Sequence, residues 1–216
     1  MKKIILAVAL SVLTIPAFAD TTANVKLSTL GLGLEAAFPL TQSVDGRIGL
    51  NTFKYSINKT STSNGVNTDY KGDLNLGSVE ALADWHPFSG SFRLSGGLVY
   101  NNNHLSMTAQ PTSGGNVNVG NNNYAVGAGD YVNATIDFNK VAPYLGIGWG
   151  RTPKNTGFSF TSDIGVLFQG SPKASVTTNI SSVTPADISQ ANSDLNNSVS
   201  SFKVYPVISF GLGYTF

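Results

Sequence analysis

The stretch that decides the fold closes the sequence: KVYPVISFGLGYTF, residues 203–216. Every second residue is apolar, and the residues between them are mostly small or polar. The apolar series is Val204, Pro206, Ile208, Phe210, Leu212, Tyr214 and Phe216. Because neighbouring side chains of a β-strand point to opposite faces, this pattern predicts a strand with lipid on one face and a packed or wet interior on the other. A half-buried strand of a soluble β-sandwich also alternates, but it does not predict the aromatic last residue.

The same alternation recurs in six earlier segments, each near the roughly 9–11 residues that a tilted strand needs to cross a bilayer. They begin at Leu30, Ile48, Val79, Phe92, Val141 and Phe158. In the second segment the apolar residues change phase at Phe53, Tyr55 and Ile57, which suggests a β-bulge. Since bacterial barrels normally have an even number of strands, we expect an eighth strand in residues 173–181 or 124–138.

The connections between these segments alternate in length, as in outer-membrane barrels, where turns are short inside and loops are long outside. The short ones are residues 39–45, 86–90 and 152–157, and the long ones are 58–72, 101–130 and 170–202. The third long connection is expected to hold a short helix at Pro185–Val199, since proline suits a first helical turn. Seven aromatic residues beside the short connections or the C-terminus predict a periplasmic girdle: Phe38, Trp85, Phe92, Trp149, Phe158, Tyr214 and Phe216.

The first residues have the layout of a Sec signal peptide. Two lysines follow Met1, an apolar run extends over residues 4–15, and small residues stand at Ala17 and Ala19. The run is shorter than the roughly 20 residues of a membrane-spanning helix. We therefore expect cleavage after Ala19, with residues 1–19 as signal peptide and residues 20–216 as one barrel domain.

The composition disfavours a soluble protein. Of all residues, 41% are hydrophobic and only 12% are charged, whereas soluble surfaces are rich in charge. Without the lysines of the signal peptide, 11 basic residues face 12 acidic ones, so a nucleic-acid partner is not expected. Cysteine is absent, which a closed barrel tolerates because its hydrogen-bond ladder has no free edge.

With these residues in view, the chain resembles the small outer-membrane β-barrels of Gram-negative bacteria. This group includes the OmpA membrane domain, OmpX, OmpW and the CarO-type porins. The ending carries most of the resemblance, because Phe210, Leu212, Tyr214 and Phe216 are similar to the signal read by the outer-membrane assembly machinery. The resemblance implies a small antiparallel transmembrane β-barrel of about eight strands, which contacts outer-membrane lipid, lipopolysaccharide and the assembly machinery. It does not identify a substrate, since fold alone does not settle function.

Eight charged residues are predicted to face the lumen, because a charge exposed to lipid is costly. They are Glu35, Arg47, Glu80, Asp84, Arg93, Arg151, Asp163 and Lys203. In a narrow barrel they would form salt bridges across the lumen, and in a wider one they would select a charged or zwitterionic solute. Inward glycines such as Gly146 and Gly148 favour the wider lumen, because they remove side-chain volume.

His104 and Ser106 share one strand face and resemble the His-x-Ser pair of the outer-membrane lipid A deacylases. Such a site needs a carboxylate to orient the histidine, and Asp130 or Asp137 would have to provide it. A polar pair at the root of a loop is the simpler interpretation. His86 stands beside a proline in a turn and is interpreted as structural, and two histidines without cysteine do not suggest a transition-metal site.

Three functions remain open from the sequence. The first is a monomeric, cofactor-free channel or uptake porin for small polar solutes, whose lumen charges set selectivity. The second is a plugged barrel that displays its loops outside the cell, in adhesion or envelope integrity. The third is a lipid-modifying enzyme of the outer leaflet, although we expect no catalysis. A continuous lumen favours the first, crossed ion pairs the second, and a His104–Ser106–Asp cluster the third.

We expect the purified protein to begin at Asp20 and to sit in the outer-membrane fraction. A folded barrel resists detergent, so its unheated form should migrate differently from the boiled form on a denaturing gel. Intact mass shows where the mature chain begins, and gel mobility shows whether the barrel is folded. A soluble periplasmic product without heat-modifiable mobility would contradict the barrel.

Overall fold

The computed structural model describes residues 21–63, 66–112, 114–153 and 155–216, so the predicted signal peptide lies outside the described residues. These residues form strands and one α-helix, α1 (Pro185–Val199). The strands are β1 (Thr22–Ser28), β2 (Gly31–Pro39), β3 (Val44–Ser63), β4 (Val66–Trp85), β5 (Phe92–Asn101), β6 (His104–Pro111), β7 (Gly115–Val119), β8 (Asn122–Val126), β9 (Val132–Asp137), β10 (Val141–Trp149), β11 (Gly157–Leu167), β12 (Lys173–Thr178) and β13 (Tyr205–Thr215).

Eight of the described strands close into an antiparallel ring in the order β1–β2–β3–β4–β5–β10–β11–β13. The ring closes through β13, which pairs with β1 on one side and β11 on the other. Each strand of the ring therefore has two neighbours, and the backbone hydrogen-bonding groups of the barrel are satisfied without water. This confirms the predicted small antiparallel barrel of about eight strands.

The outer face of the ring is apolar and exposed, and the inner face is polar and buried. Leu27, Leu145 and Phe160 are 66%, 60% and 78% exposed, respectively. On the same strands as these residues, Lys26 and Asp163 are at most 5% exposed. An apolar belt of this extent is not stable against water, but it matches the hydrocarbon core of a bilayer. The barrel is thus a transmembrane one.

The predicted aromatic residues gather at the short-turn end of the ring. Phe92 and Trp149 face each other across β5 and β10, with ring centroids 5.7 Å apart. Phe158 and Tyr214 do the same across β11 and β13 at 5.1 Å, and Phe216 extends this second pair. Amphipathic rings at one level of a barrel are typical of the interface between membrane and water.

The position predicted for the eighth strand is wrong. The eighth strand of the ring is β1, at the start of the described chain, with Val25 and Leu27 outside and Lys26 inside. The two expected regions, residues 124–138 and 173–181, do contain β9 and β12, but both strands pair outside the ring. Consequently one connection at the long-connection end, Thr29–Leu30 between β1 and β2, is short.

The first long connection is not a loop. β3 and β4 continue far beyond the ring as one hairpin, paired in register from Val44 and Trp85 to Ser63 and Val66. β6 continues the line of β5 along β4, because Asn101 lies opposite Ser78 and His104 opposite Asn75. β9 then pairs with β6, and β12 with β9. We call this sheet the wall: residues 52–63 of β3, residues 66–77 of β4, and β6, β9 and β12.

The phase change at Phe53 is not a bulge, since the pairing of β3 with β4 is continuous there. Instead, the two faces of the hairpin exchange polarity at the level of Thr52. Below it, Ile48 and Leu50 point to lipid, and above it Lys54 on the same face points to water. The opposite face of the hairpin lines the lumen within the ring. Beyond Thr52, the same face carries Phe53, Tyr55 and Ile57.

The predicted helix is confirmed with its bounds, Pro185–Val199. Thr184 caps it by accepting a hydrogen bond from the backbone N–H of Asp187, and Pro185 follows in the first turn. α1 packs beside β12, where the side-chain amides of Asn192 and Asn196 bond to the free backbone edge of that strand at Ala174 and Val176. No helix of the described chain has the length and apolar character to cross a membrane.

Asp187 fastens the first turn of α1 to the β7–β8 hairpin. Its carboxylate accepts hydrogen bonds from the Thr184 and Tyr124 hydroxyls and, at 2.8 Å, from the Asn122 amide. Gly120, at the tip of the hairpin, has φ of +60°, and a side chain there would meet the backbone of Asp187. The hydroxyl of Thr184 and then that of Tyr124 hold the pKa of Asp187 below its usual 3.8.

Because its pKa is lowered in the folded protein, Asp187 contributes stability above pH 3.8 that is lost as the pH falls through the lowered value. Asp187→Asn removes the charge at every pH and should increase hydrogen exchange in β7 and β8 at neutral pH, with little change in the ring. Exchange measured by mass spectrometry tests this, with Asp194→Asn on the exposed side of α1 as control. Equal exchange in β7 and β8 of both variants would contradict the role of Asp187.

Candidate functional site

The lumen at the short-turn half of the ring is filled by a network of ion pairs. Seven charged side chains, all at most 5% exposed, project into it from six strands. They are Lys26, Glu35, Arg47, Glu80, Asp84, Arg93 and Asp163. Each belongs to the inward series of its strand, so the alternation of the strands alone brings them together. All of them are paired, as buried charges must be to remain ionised at acceptable cost.

Arg47 is the centre of this network. Its guanidinium reaches Asp84 at 2.6 Å, Asp163 at 3.2 Å and Glu35 at 3.3 Å, which are residues from three other strands. A planar group with five donors suits this arrangement, since one arginine can serve several carboxylates at once. The Arg47 side chain therefore crosses the lumen and ties β3 to β2, β4 and β11.

The remaining members surround Arg47. Arg93 binds both oxygens of Asp163, at 2.9 and 3.0 Å, and the carbonyl of Gly150 at 2.9 Å. Lys26 bridges Glu35, at 3.2 Å, and Glu80. On the short-turn side of the network, a cavity of about 10 Å³ lies beside Glu35, Arg47 and Arg93, at the lower limit for one water molecule.

Beside the ionic network, and toward the outer end of β5, β10, β11 and β13, the lumen is filled by an apolar layer. It consists of Leu30, Leu82, Val99, Ala142, Tyr144, Leu167 and Val207. Leu30, from the short β1–β2 turn, is 2% exposed, and Leu167 is fully buried. An ion on its way through the barrel would meet both the paired charges and these apolar side chains.

The inward glycines do not widen the lumen. A Cβ on Gly146 or Gly165 would lie 2.5 or 2.4 Å from the Tyr144 hydroxyl, so the Tyr144 ring occupies the space that both glycines leave. A Cβ on Gly148 would lie 2.6 Å from Asp163. The glycines therefore admit the groups that fill the barrel, and the sequence-based interpretation of a wider lumen is wrong.

Six of the eight predicted lumen charges lie in the network, and two do not. Arg151 is half-buried at the short-turn mouth, where it bonds to the carbonyls of Ser89 and Gln42 and joins two turns. Lys203 is exposed ahead of β13, outside the lumen. Lys26 was not among the predicted charges because β1 was not recognised, although the alternation of Val25 and Leu27 with Lys26 was a usable signal.

His86 has the structural environment expected of it. It is buried in a short turn, with Nε2 at 3.2 Å from Asp45 Oδ2 and Nδ1 at 3.1 Å from the carbonyl of Gly90. Among the described residues, no group of three histidine or acidic side chains is arranged to hold a metal ion.

His104 and Ser106 share the outer face of the wall, away from the lumen and beyond the lipid belt. His104 Nε2 lies 3.1 Å from the amide of Asn75, and its register partner on β9 is Asp137. Within the described chain, no hydrogen bond joins His104 to Ser106, Asp137 or Asp130. The contacts required of a catalytic triad are therefore not formed.

Comparison with known proteins places the fold. The chain matches no protein-family model and no curated protein sequence. Among solved structures it is similar to CarO2 of Acinetobacter baumannii, with a TM-score of 0.58 and 20% identity, over 91% of this chain and 98% of that one. It is also similar to CarO of the same organism, with a TM-score of 0.55 and 22% identity, over 90% of this chain and 97% of that one. The resemblance to CarO-type outer-membrane barrels is thereby confirmed at the level of fold.

Replacing Arg47 tests the network. Arg47→Ala leaves Glu35, Asp84 and Asp163 facing each other without their shared cation, and we expect a loss of about 3–5 kcal/mol in the free energy of unfolding. Urea unfolding in lipid vesicles, followed by tryptophan fluorescence, measures it. Lys203→Ala is the control and should change stability by less than about 0.5 kcal/mol, since Lys203 is exposed. Equal stability of the two variants would show that Arg47 is not central.

Proposed function

We propose that this protein is an outer-membrane barrel with a closed lumen, which serves to present its wall and outer hairpins outside the cell. Of the functions left open by the sequence, this is the plugged display barrel. The observation that carries the proposal is the pair of seals in the lumen, the ionic network around Arg47 and the apolar layer around Tyr144. The predicted channel has no passage in this arrangement and stays a prediction.

The two seals act in series. A hydrated ion that entered from the short-turn end would have to displace one member of a buried ion pair, which leaves the partner charge unpaired. It would then have to pass the apolar side chains around Leu30 and Leu167, where the loss of hydration is costly. Opening one seal alone should leave the other in place.

The proposed orientation has the short turns in the periplasm and the wall outside the cell. The apolar belt, the aromatic residues at the short-turn end and the closing series Phe210, Leu212, Tyr214 and Phe216 support it. On this basis the partners are outer-membrane lipid and lipopolysaccharide, with the assembly machinery during insertion, and the barrel is a monomer. The proposal assigns no catalysis to His104 and Ser106, because His104 bonds to the Asn75 amide and not to Ser106 or Asp137.

We expect the folded protein to be silent in planar lipid bilayers, with no discrete single-channel openings in salt. Removing bulk from the network with Arg47→Ala and Asp163→Ala, or from the apolar layer with Tyr144→Ala, should leave it silent. The combination of all three substitutions should conduct, because both seals are then weakened.

Heat-modifiable gel mobility of each variant serves as the folding control. Discrete openings of the unsubstituted protein would overturn the closed lumen and favour the channel. Conductance of Tyr144→Ala alone would show that the ionic network does not seal the barrel.

A further inference from the structure

The inner face of the wall is apolar, and the described chain leaves it open on β3, β4, β6 and β9. It continues the lumen-facing side of β3 and β4 past the ring, and β6 and β9 extend it sideways. Tyr55, Ile57 and Met107 are 54%, 52% and 51% exposed there. Apolar side chains in water are unfavourable, so a continuous apolar face outside the lipid belt points to a ligand.

The face is concave. Residues of β3, β4, β6 and β9 line a groove of about 510 Å³, within the usual size range of small-ligand pockets. Its floor is at Gly72, where an added Cβ would find no atom within 4 Å. Ile57 and Met107 are the register partners of Gly72 on the two sides, so the missing side chain leaves a furrow between them.

The strand alternation places one charged residue, Lys59, on this face, and Lys71 of the outward series also borders the groove. Lys59 follows Tyr55 and Ile57 in the inward series of β3 and lines the end of the groove. Within the described residues Lys59 has no ion pair. The acids of the hairpin, Asp69 and Asp73, belong to the opposite face, where they accept hydrogen bonds from Thr60 and Ser56.

The charges on the opposite face of the same hairpin are balanced. Lys71 stands there between Asp69 and Asp73 in the outward series of β4, so its charge is compensated by neighbours two residues away. An apolar furrow that ends at one uncompensated ammonium group is complementary to a molecule with one alkyl chain and one anionic head.

We propose that the inner face of the wall binds a free long-chain carboxylate. The alkyl chain lies in the furrow above Gly72, between Ile57 and Met107, and the carboxylate meets the ammonium group of Lys59. Lys59 and Tyr55 are four residues apart on β3, which corresponds to about 14 Å along the strand and is long enough to hold an extended chain. This inference rests on the proposed display function only in placing the wall outside the membrane.

Met107 offers a direct reporter, because the sequence has two methionines and the other is Met1. The protein is labelled with ¹³C-methyl methionine and refolded into phosphatidylcholine nanodiscs, and dodecanoate is titrated. We expect a saturable shift of the Met107 methyl resonance, which is assigned by its loss in Met107→Leu. Octanoate should bind at least about tenfold more weakly, because it buries fewer methylene groups.

Two variants test the two parts of the site. Partitioning of dodecanoate into the bilayer is the same for every variant, so it does not affect the comparison. Lys59→Gln should weaken dodecanoate binding about two- to fivefold, the size of an exposed ion pair, and the loss should shrink at high salt. Its matched control is Lys54→Gln, on the outward face of the same strand, which should leave binding unchanged.

Gly72→Phe fills the furrow and should abolish the saturable shift of the Met107 methyl resonance. Its control is Gly77→Phe, on the outward series of β4.

An unresponsive Met107 methyl would overturn the inference, and so would equal binding of dodecyltrimethylammonium, which has the same chain and the opposite charge. An equal effect of Lys54→Gln and Lys59→Gln would overturn the assigned head-group site. Conductance recorded on the same preparation is a separate readout. A barrel that binds dodecanoate but conducts overturns the closed lumen alone, and a silent barrel whose Met107 does not respond overturns this inference alone.

Discussion

The structure depends on one constraint: inside a bilayer, no backbone N–H or C=O can be left without a partner. The sheet therefore has to close, and the closing contact is the pairing of β13 with β1. Eight strands enclose a space only about as wide as the side chains that fill it. Once the ring is closed, the contents of the lumen are part of its stability, because an empty interior would cost packing energy and an unpaired charge would cost more.

The ionic network follows from this narrow space. Small residues such as Gly148 leave room on one strand for long side chains from the next, and Arg93 and Asp163 occupy that room. Since the lumen holds three basic and four acidic groups in contact, each charge has a partner and none needs water. The apolar layer beside the network needs no such pairing, and it fills the lumen toward the outer end of β5, β10, β11 and β13.

Much of this could be predicted from the sequence, because an alternation of period two fixes which side chains share a face. It placed Arg47, Arg93 and Asp163 on inward faces, where they meet, and Pro185 in a first turn predicted α1. It could not tell which medium each face meets, so the polarity exchange above Thr52 looked like a bulge. Lys203 was misplaced because the alternation of β13 was extended past its end at Tyr205. β1 was missed because its few apolar residues stand directly after the predicted signal peptide. No local pattern shows that Tyr144 fills the space over Gly146, since that depends on the partner strand.

Beyond the lipid belt, water can satisfy the backbone groups, so the strands of the wall are not under the same constraint. Strands there need not close into a ring, and β12 ends the sheet with an edge that the Asn192 and Asn196 amides cover. Water now lies on both sides of the sheet, so either face could be polar. The outer face is polar, but the inner face stays apolar over four strands, and its inward series carries one lysine, Lys59. Neither strand pairing nor contact with the bilayer requires an apolar inner face. A bound ligand would account for it, and we therefore assign the groove to a ligand.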